Sequence, residues 1–513
     1  MINLNRNSEK NVHKKIIDQL SKCGRNCHDA ELLEYIFPQI TAYCHAMKML
    51  SKSVIHYNEA PSKTQYVTQV LATLAVSLGP FAAGLGKGYT SPAIASLQQL
   101  QVRAVFNASA ATFIVTEQQA SWIASLSLLG ALFGGIFGGM AMRFGRKRVI
   151  IVTSLPYSVA WMLTVLASSV EMMFVSAFVA GLCCSIVSMV TQVYIIEISA
   201  PDIRGCLSAL LKISGQMGML ISFSAGAYLD WRQLATIVAV APIMLFVTTL
   251  YVPETPSYLM LAGRDEDARQ ALQWLRGAHC DVRSELATIR LNVLRGVTNH
   301  SFSTHILKPA FITCGLMFFQ RFSGANAFNF YTVTIFRQTF NGMDPHRGAI
   351  AVAFVQLLAS LLSGLLVDNI GRLPLLMASS IFMSISLASF GSFSYYEEIH
   401  KHQNIEQYDW IPLLCVLVFT VAFSLGIGPI SWLLIGELFP LEHRGLGSSL
   451  AASFSYLCAF LGVKTFVDIR QWLGLHGTFW LYSSLSCGGL GFIVMCVPET
   501  KGTDLDEMDI KCA

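Results

Sequence analysis

A helix needs about twenty mostly apolar residues to cross a bilayer, and hydrocarbon admits only structures that satisfy their own backbone groups. This chain carries a long series of such runs. They lie near residues 67–89, 119–141, 149–168, 173–196, 206–229 and 234–252, and again near 308–338, 347–367, 374–394, 411–436, 446–467 and 476–497. A polar segment divides the two groups. The pattern predicts an all-α polytopic membrane protein with twelve transmembrane helices in two six-helix bundles. The expected organisation is a tail over 1–66, a first bundle over 67–253, a linker with short helices over 254–307, a second bundle over 308–497 and a tail over 498–513. With 53% hydrophobic and 13% charged residues over 513 positions, a soluble enzyme is excluded.

Basic residues set the expected orientation. The N-terminal tail, Arg143, Arg146, Lys147 and Arg148 after span 2, the arginines of the linker, and Lys501 and Lys511 all fall on one side. Both termini are therefore expected in the cytosol. Asn107-Ala108-Ser109 then lies in the first outer loop, which makes Asn107 a candidate N-glycosylation site. A net charge of +4, with no basic patch interleaved with aromatics, argues against nucleic acid as a partner. The thirteen cysteines fall in apolar spans or in expected cytosolic segments, which predicts thiols without structural disulfides. No His, Asp and Cys cluster lies within a span, so neither a metal site nor an enzyme is expected. The lack of a Walker motif excludes ATP as the driving ligand, and no cofactor is implied.

The two groups of spans repeat each other. Gly145-Arg146-Lys147 follows span 2, and Asp368-Asn369-Ile370-Gly371-Arg372 follows span 8. Glu197 and Arg204 follow span 4; Glu437 and Arg444 follow span 10. Pro253-Glu254-Thr255-Pro256 follows span 6, and Pro498-Glu499-Thr500-Lys501 follows span 12. Duplicated motifs at matching places imply a transporter built from two related halves, with its site at their interface. Carboxylates and arginines at the helix ends would form clusters that hold the cytosolic side shut in one state and part in the other. Ordinary surface ion pairs, worth little, explain one such motif but not three duplicated ones.

Span 7 is the anomaly. Gln320, Arg321, Asn326 and Asn329 stand in a run that otherwise reads as membrane-spanning, with Gly324 weakening the helix and aromatics on both sides. Polar groups in hydrocarbon must find partners. Interhelical hydrogen-bonding explains one amide. Four polar residues in about two helical turns point instead to a segment lining a polar solute's path.

Together the motifs resemble the sugar porter family of the major facilitator superfamily. The residues that carry the resemblance are Gly145-Arg146-Lys147, Tyr194 with Glu197, Arg204-Gly205, Pro253-Glu254-Thr255-Pro256, Gln320 with Gly324 and Asn326, Asp368 with Gly371-Arg372, Gly428-Pro429-Ile430 with Trp432, Gly436-Glu437 and Pro498-Glu499-Thr500. It runs from about Val67 to Asp506. Within the family, Tyr89-Thr90-Ser91-Pro92-Ala93 and Val463-Lys464-Thr465-Phe466 look most like insect facilitated trehalose transporters. The resemblance implies the major facilitator fold, a plasma-membrane location, function as a monomer and alternating access to a saccharide. Gln320 and Asn326 would bind sugar hydroxyls, Trp432 would stack on the ring, and Phe330 and Tyr331 would form the outer gate.

The departures from the family pattern carry equal weight. Arg321 replaces a second glutamine, Lys212 aligns with the glutamine of span 5, and Gln356 aligns with an asparagine of span 8. Ser455 stands for the span 11 asparagine, and Met142 for an acid of the first cytosolic motif. Lys212 and Arg321 are expected to take part in substrate binding. The aspartate that proton-driven relatives carry after Gly-Tyr is Thr90 here, which implies downhill movement without proton coupling. Three readings follow from the sequence: a facilitative saccharide carrier, a non-transporting sugar sensor on the same fold, and a carrier of another small organic solute, an anion included.

Overall fold

A computed structural model describes residues 67–106, 115–200, 203–277, 282–298, 307–340, 342–400, 408–439 and 444–499, all within one compact unit. Asn107, residues 1–66 and residues 500–513 lie outside the described residues. Six helices precede the linker: α1 (Val67–Phe106), α2 (Glu117–Ala141), α3 (Arg146–Val165), α4 (Val170–Ile198), α5 (Arg204–Gly226) and α6 (Trp231–Leu250). The linker forms α7 (Pro256–Leu261), α8 (Asp265–Arg276) and α9 (Arg283–Thr298). Beyond it come α10 (Leu307–Phe322), α11 (Ala325–Thr339), α12 (Pro345–Ile370), α13 (Arg372–Ile399), α14 (Trp410–Leu425), α15 (Ile427–Leu438) and α16 (Arg444–Cys496).

Ten of these segments are long and apolar enough to cross a membrane. Two departures from one helix per span bring the count to twelve. Span 7 consists of α10 and α11, broken at Gly324, so neither piece is long enough alone. Spans 11 and 12 share α16, which turns at Gly474 with φ +70°. Span 10 is likewise two helices, α14 and α15, broken at Gly426. The sequence predicts that Gly324 weakens span 7 and that the glycines around Pro429 break span 10, and both spans are interrupted; it places the end of span 1 near residue 89. Instead α1 runs on to Phe106 with Pro80 and Pro92 inside it. Neighbouring helices can satisfy the carbonyls that a proline frees, so a buried span tolerates it.

Local chemistry sets several helix starts. Thr116 caps α2, its hydroxyl accepting from Gln119 N while the Gln119 side chain returns to the Thr116 N–H. Ser169 caps α4 through Met172 N. The first half packs through glycine. A Cβ on Gly84 would fall 1.9 Å from the Gly215 carbonyl oxygen, and one on Gly181 would fall 1.9 Å from that of Ser127. Spans 1 and 5, and spans 2 and 4, thus touch backbone to backbone, as small residues permit in membranes. The second half packs through rings: Phe328 lies against Phe390, Phe419 and Phe479.

The linker docks on the first half. Arg276 is buried, donates to the Ile198 carbonyl at the end of α4 and pairs with Glu285 at 2.5 Å. Thr68 donates to the Leu275 carbonyl. The membrane face that carries α7–α9 is called the linker side below, and the opposite face the far side. Cys183, Cys184, Cys314, Cys415, Cys458, Cys487 and Cys496 are free thiols, but Cys206 is disulfide-bonded, against expectation. It stands in the first turn of α5, at the rim of the span and not in its apolar middle.

Candidate functional site

The repeated motifs of the linker side have one shared geometry. Gly145 (φ +107°) and Gly371 (φ +108°) each open a helix in a conformation that disfavours any side chain. Glu254 accepts from the N–H groups of Arg146 and Lys147 at 3.0 and 2.9 Å, at the start of α3. Glu499 accepts from those of Arg372 and Leu373 at 3.2 and 2.9 Å, at the start of α13. Each carboxylate thus sits on the positive end of a helix and satisfies donors that have no partner within it. In the first half Arg146 also pairs with Glu197 at 2.6 Å, both side chains being 15% exposed. Arg204 does not join this pair; it reaches the Ser199 carbonyl at 3.4 Å. The side chains of Asp368, Glu437 and Arg444 lie outside the described residues. Every hydrogen bond named in these motifs stays within its own half.

The middle of the second half is organised by the two broken spans. Gly324 takes φ +85°, and a Cβ there would press on Tyr482 at 2.9 Å. At the other break, a Cβ on Gly426 would fall 2.2 Å from the Ser379 Cβ. The Ser379 hydroxyl donates to the Ala422 carbonyl at 2.8 Å and accepts from Ile427 N at 3.2 Å, patching the interrupted ladder. Gln320, only 2% exposed, reaches the start of α15 from span 7. Its Nε2 donates to the carbonyls of Ile427 and Gly428, at 2.9 and 2.8 Å. Both amide protons are then engaged, while Oε1 is buried without a partner. The sequence reading gave this amide either to substrate or to helix packing. The structure divides it, with donors on the backbone and the acceptor unoccupied.

Beside Gln320 lie the other predicted residues of span 7. Arg321 donates from Nε to the Ser455 hydroxyl at 2.8 Å, and its Cζ stands 5.9 Å from the centre of the Trp432 ring. Trp432 is 40% exposed although it lies on α15, next to the break. Asn326 is buried and contacts the Arg321 carbonyl at 3.4 Å; Gln356 is buried on α12. The Lys212 side chain is exposed, three residues before Gly215, where α5 meets α1.

Two residues absent from the sequence expectation share that environment. Lys87 on α1 is likewise exposed, three residues past Gly84, where α1 meets α5. Its signal was legible: a lone lysine inside an apolar run. Gln216, one turn past Lys212 on the same face of α5, has its Oε1 buried without a partner.

Phe330 and Tyr331 are placed apart from these exposed side chains. Both are buried, and Tyr331 stacks on Phe466 at 5.0 Å between ring centres. They belong to a far-side closure between the halves. Ser91 accepts from Val333 N, Gln118 bridges Lys464 and Asp468, Ser121 donates to the Lys464 carbonyl, and Arg470 pairs with Glu117 at 2.8 Å. All of these contacts lie at far-side ends of spans 1, 2, 7 and 11.

Known proteins resemble the chain over most of its length. A family model described as "Sugar (and other) transporter" matches residues 71–511. A facilitated trehalose transporter of Apis mellifera ligustica is 38% identical over 460 residues, 88% of this chain and 89% of the relative. Another from Bombyx mori is 35% identical over 462 residues, 89% of each. Among solved structures, a proton:xylose symporter of the major facilitator superfamily matches with TM-score 0.71 at 23% identity, over 88% of this chain and 100% of its own. An inward-open xylose transporter from E. coli matches with TM-score 0.70 at 22% identity, over 86% and 98% of the two chains. The two-bundle major facilitator fold expected from the sequence is the fold found.

Proposed function

We infer that this chain, which belongs to the sugar transporter family, carries a saccharide down its gradient by alternating access, with trehalose or a hexose as the class suggested by its relatives. The observation that carries the reading is the Gln320 amide. Its acceptor is buried and unpartnered, its donors are held by the broken span 10, and the exposed face of Trp432 lies on that same span. A sugar hydroxyl satisfies the first, and the apolar face of a sugar ring suits the second. The linker side is taken as cytosolic from its basic residues, so far-side closure corresponds to a cytosol-facing state.

Movement without proton coupling is supported by residues of spans 1 and 4. Thr90 follows Gly88-Tyr89 where proton-driven sugar porters carry an aspartate, and Ala177 aligns with the span 4 arginine of the family. Among the described residues no Asp or Glu lies in the middle of a span. A proton relay needs a titratable carboxylate of that kind. The carboxylate-capped turns at Gly145 and Gly371 would come together when the cytosolic side closes, with Arg146, Glu197, Arg204, Glu254, Asp368, Arg372, Glu437, Arg444 and Glu499 as the closing set.

The test is counterflow in proteoliposomes with labelled trehalose and glucose. Uptake is expected to be saturable and indifferent to an imposed inward proton gradient. Acceleration by that gradient would remove the uniport reading, and a chain that binds saccharide but never exchanges it would be a sensor.

A further inference from the structure

Span 10 breaks at one point, and the residue after the break is held from two neighbouring spans. In a continuous helix the Ile427 N–H would donate to the Phe423 carbonyl, one turn back. Gly426 (φ −114°, ψ −97°) leaves the helical conformation, and the Ile427 N–H turns to the Ser379 hydroxyl instead, at 3.2 Å. The same hydroxyl donates to the Ala422 carbonyl at 2.8 Å, so it bridges α14 and α15 from span 9. Gln320 donates to the Ile427 carbonyl at 2.9 Å from span 7. Ser379 is 4% exposed. The contact is tight: a Cβ on Gly426 would fall 2.2 Å from the Ser379 Cβ and 2.8 Å from the Leu375 carbonyl oxygen.

A second serine gives the comparison. Ser386 stands about two helical turns further along the same face of α13 and is also buried. It donates to the Cys415 carbonyl, inside α14 and well before the break. Removing its hydroxyl costs one bond between spans 9 and 10 and leaves the ladder of α14 whole. Removing that of Ser379 leaves a buried N–H without its acceptor for as long as the span stays broken.

We propose that Ser379 is a positioning residue for transport: its hydroxyl holds span 10 in the broken form, and the span moves when the Ile427 N–H passes from Ser379 to the Phe423 carbonyl. Ser379 acts through the backbone of span 10 and needs no contact with sugar. In this structure the halves are closed on the far side, so the broken form belongs to the state open on the linker side. The inference rests on the alternating-access reading, in which the two faces open in turn. Without the hydroxyl the broken form loses its substitute acceptor while the continuous form keeps its own. The population then moves toward the state open on the far side.

The experiment introduces Ala349→Cys, near the start of α12, where Ala349 is buried with Ala95 and Val333 between the halves. Its labelling by a bulky maleimide is followed in the purified full chain, against the same protein without that change. Ser379→Ala should raise the labelling rate at least fivefold. It should lower by a similar factor the outside concentration of glucose or trehalose that half-saturates uptake into intact cells, because more of the protein is ready to bind there. Ser386→Ala should leave both readouts within twofold while lowering the thermal midpoint about as much as Ser379→Ala does. Equal labelling and half-saturation in the two variants, or no change from Ser379→Ala, overturns the inference and leaves the transport reading standing. A chain that takes up neither sugar removes the transport reading, and the labelling comparison then decides the hinge by itself.

Discussion

The two halves share motifs but are built differently. Span 4 is one uninterrupted helix, whereas its counterpart span 10 breaks at Gly426; span 1 runs through two prolines, whereas span 7 breaks at Gly324. In the first half glycines bring backbones into contact, at Gly84 and Gly218 between spans 1 and 5 and at Gly130 and Gly181 between spans 2 and 4. In the second half the break at Gly426 is bridged by Ser379, and Gln320 holds the start of the helix that follows it. One repeat serves as a frame and the other holds the spans able to bend. The difference is made by where the glycines fall: against a neighbouring backbone they tighten packing, and inside a span they release it.

The sharpest way to break this contrast is Gln320→Glu. A carboxylate keeps the shape but cannot donate, so two oxygens would face the Ile427 and Gly428 carbonyls. Uptake should fall a hundredfold or more. A buried charge left without a partner costs on the order of 3–5 kcal/mol, so the thermal midpoint should drop as well. Normal uptake by this variant would mean that the broken span does not depend on the amide.

A paired substitution tests frame against hinge. Gly181→Ala places a methyl 1.9 Å from the Ser127 oxygen and must push spans 2 and 4 apart. It should destabilise by about 1–3 kcal/mol, as overpacking does, and lower surface expression. Gly426→Ala, against Ser379, should instead lower the turnover of the folded protein several-fold. If both variants lose stability alike and neither changes turnover per folded molecule, the division of labour is wrong.

The smallest effects concern what the halves have in common. Glu254→Gln and Glu499→Gln each remove a charge from a helix N-terminus while keeping an acceptor. Each should cost ~0.3–1 kcal/mol in thermal stability, and by similar amounts. Unequal losses beyond that range would show that the two motifs are not equivalent.

Span 7 shows how far the residues could be read in advance. Its polar residues and Gly324 were visible as an anomaly in an apolar run, and so was the repeat that places them in the second half. That Gln320 uses its donors on span 10 could not be read, because the partner carbonyls lie more than a hundred residues away in the chain. Phe330 and Tyr331 looked like gate residues and are found buried in the far-side closure, a position set by packing against Phe466. Lys87 could have been found by the same test that singled out Lys212 and Arg321.

The sequence by itself determined the twelve spans, their repeat and the family, because hydrophobic length and local turn chemistry act over neighbouring residues. Tertiary structure decided how the broken spans are held, which half of an amide remains unpartnered, and which side chains close the far side between the halves. Those properties depend on contacts between residues far apart in the chain.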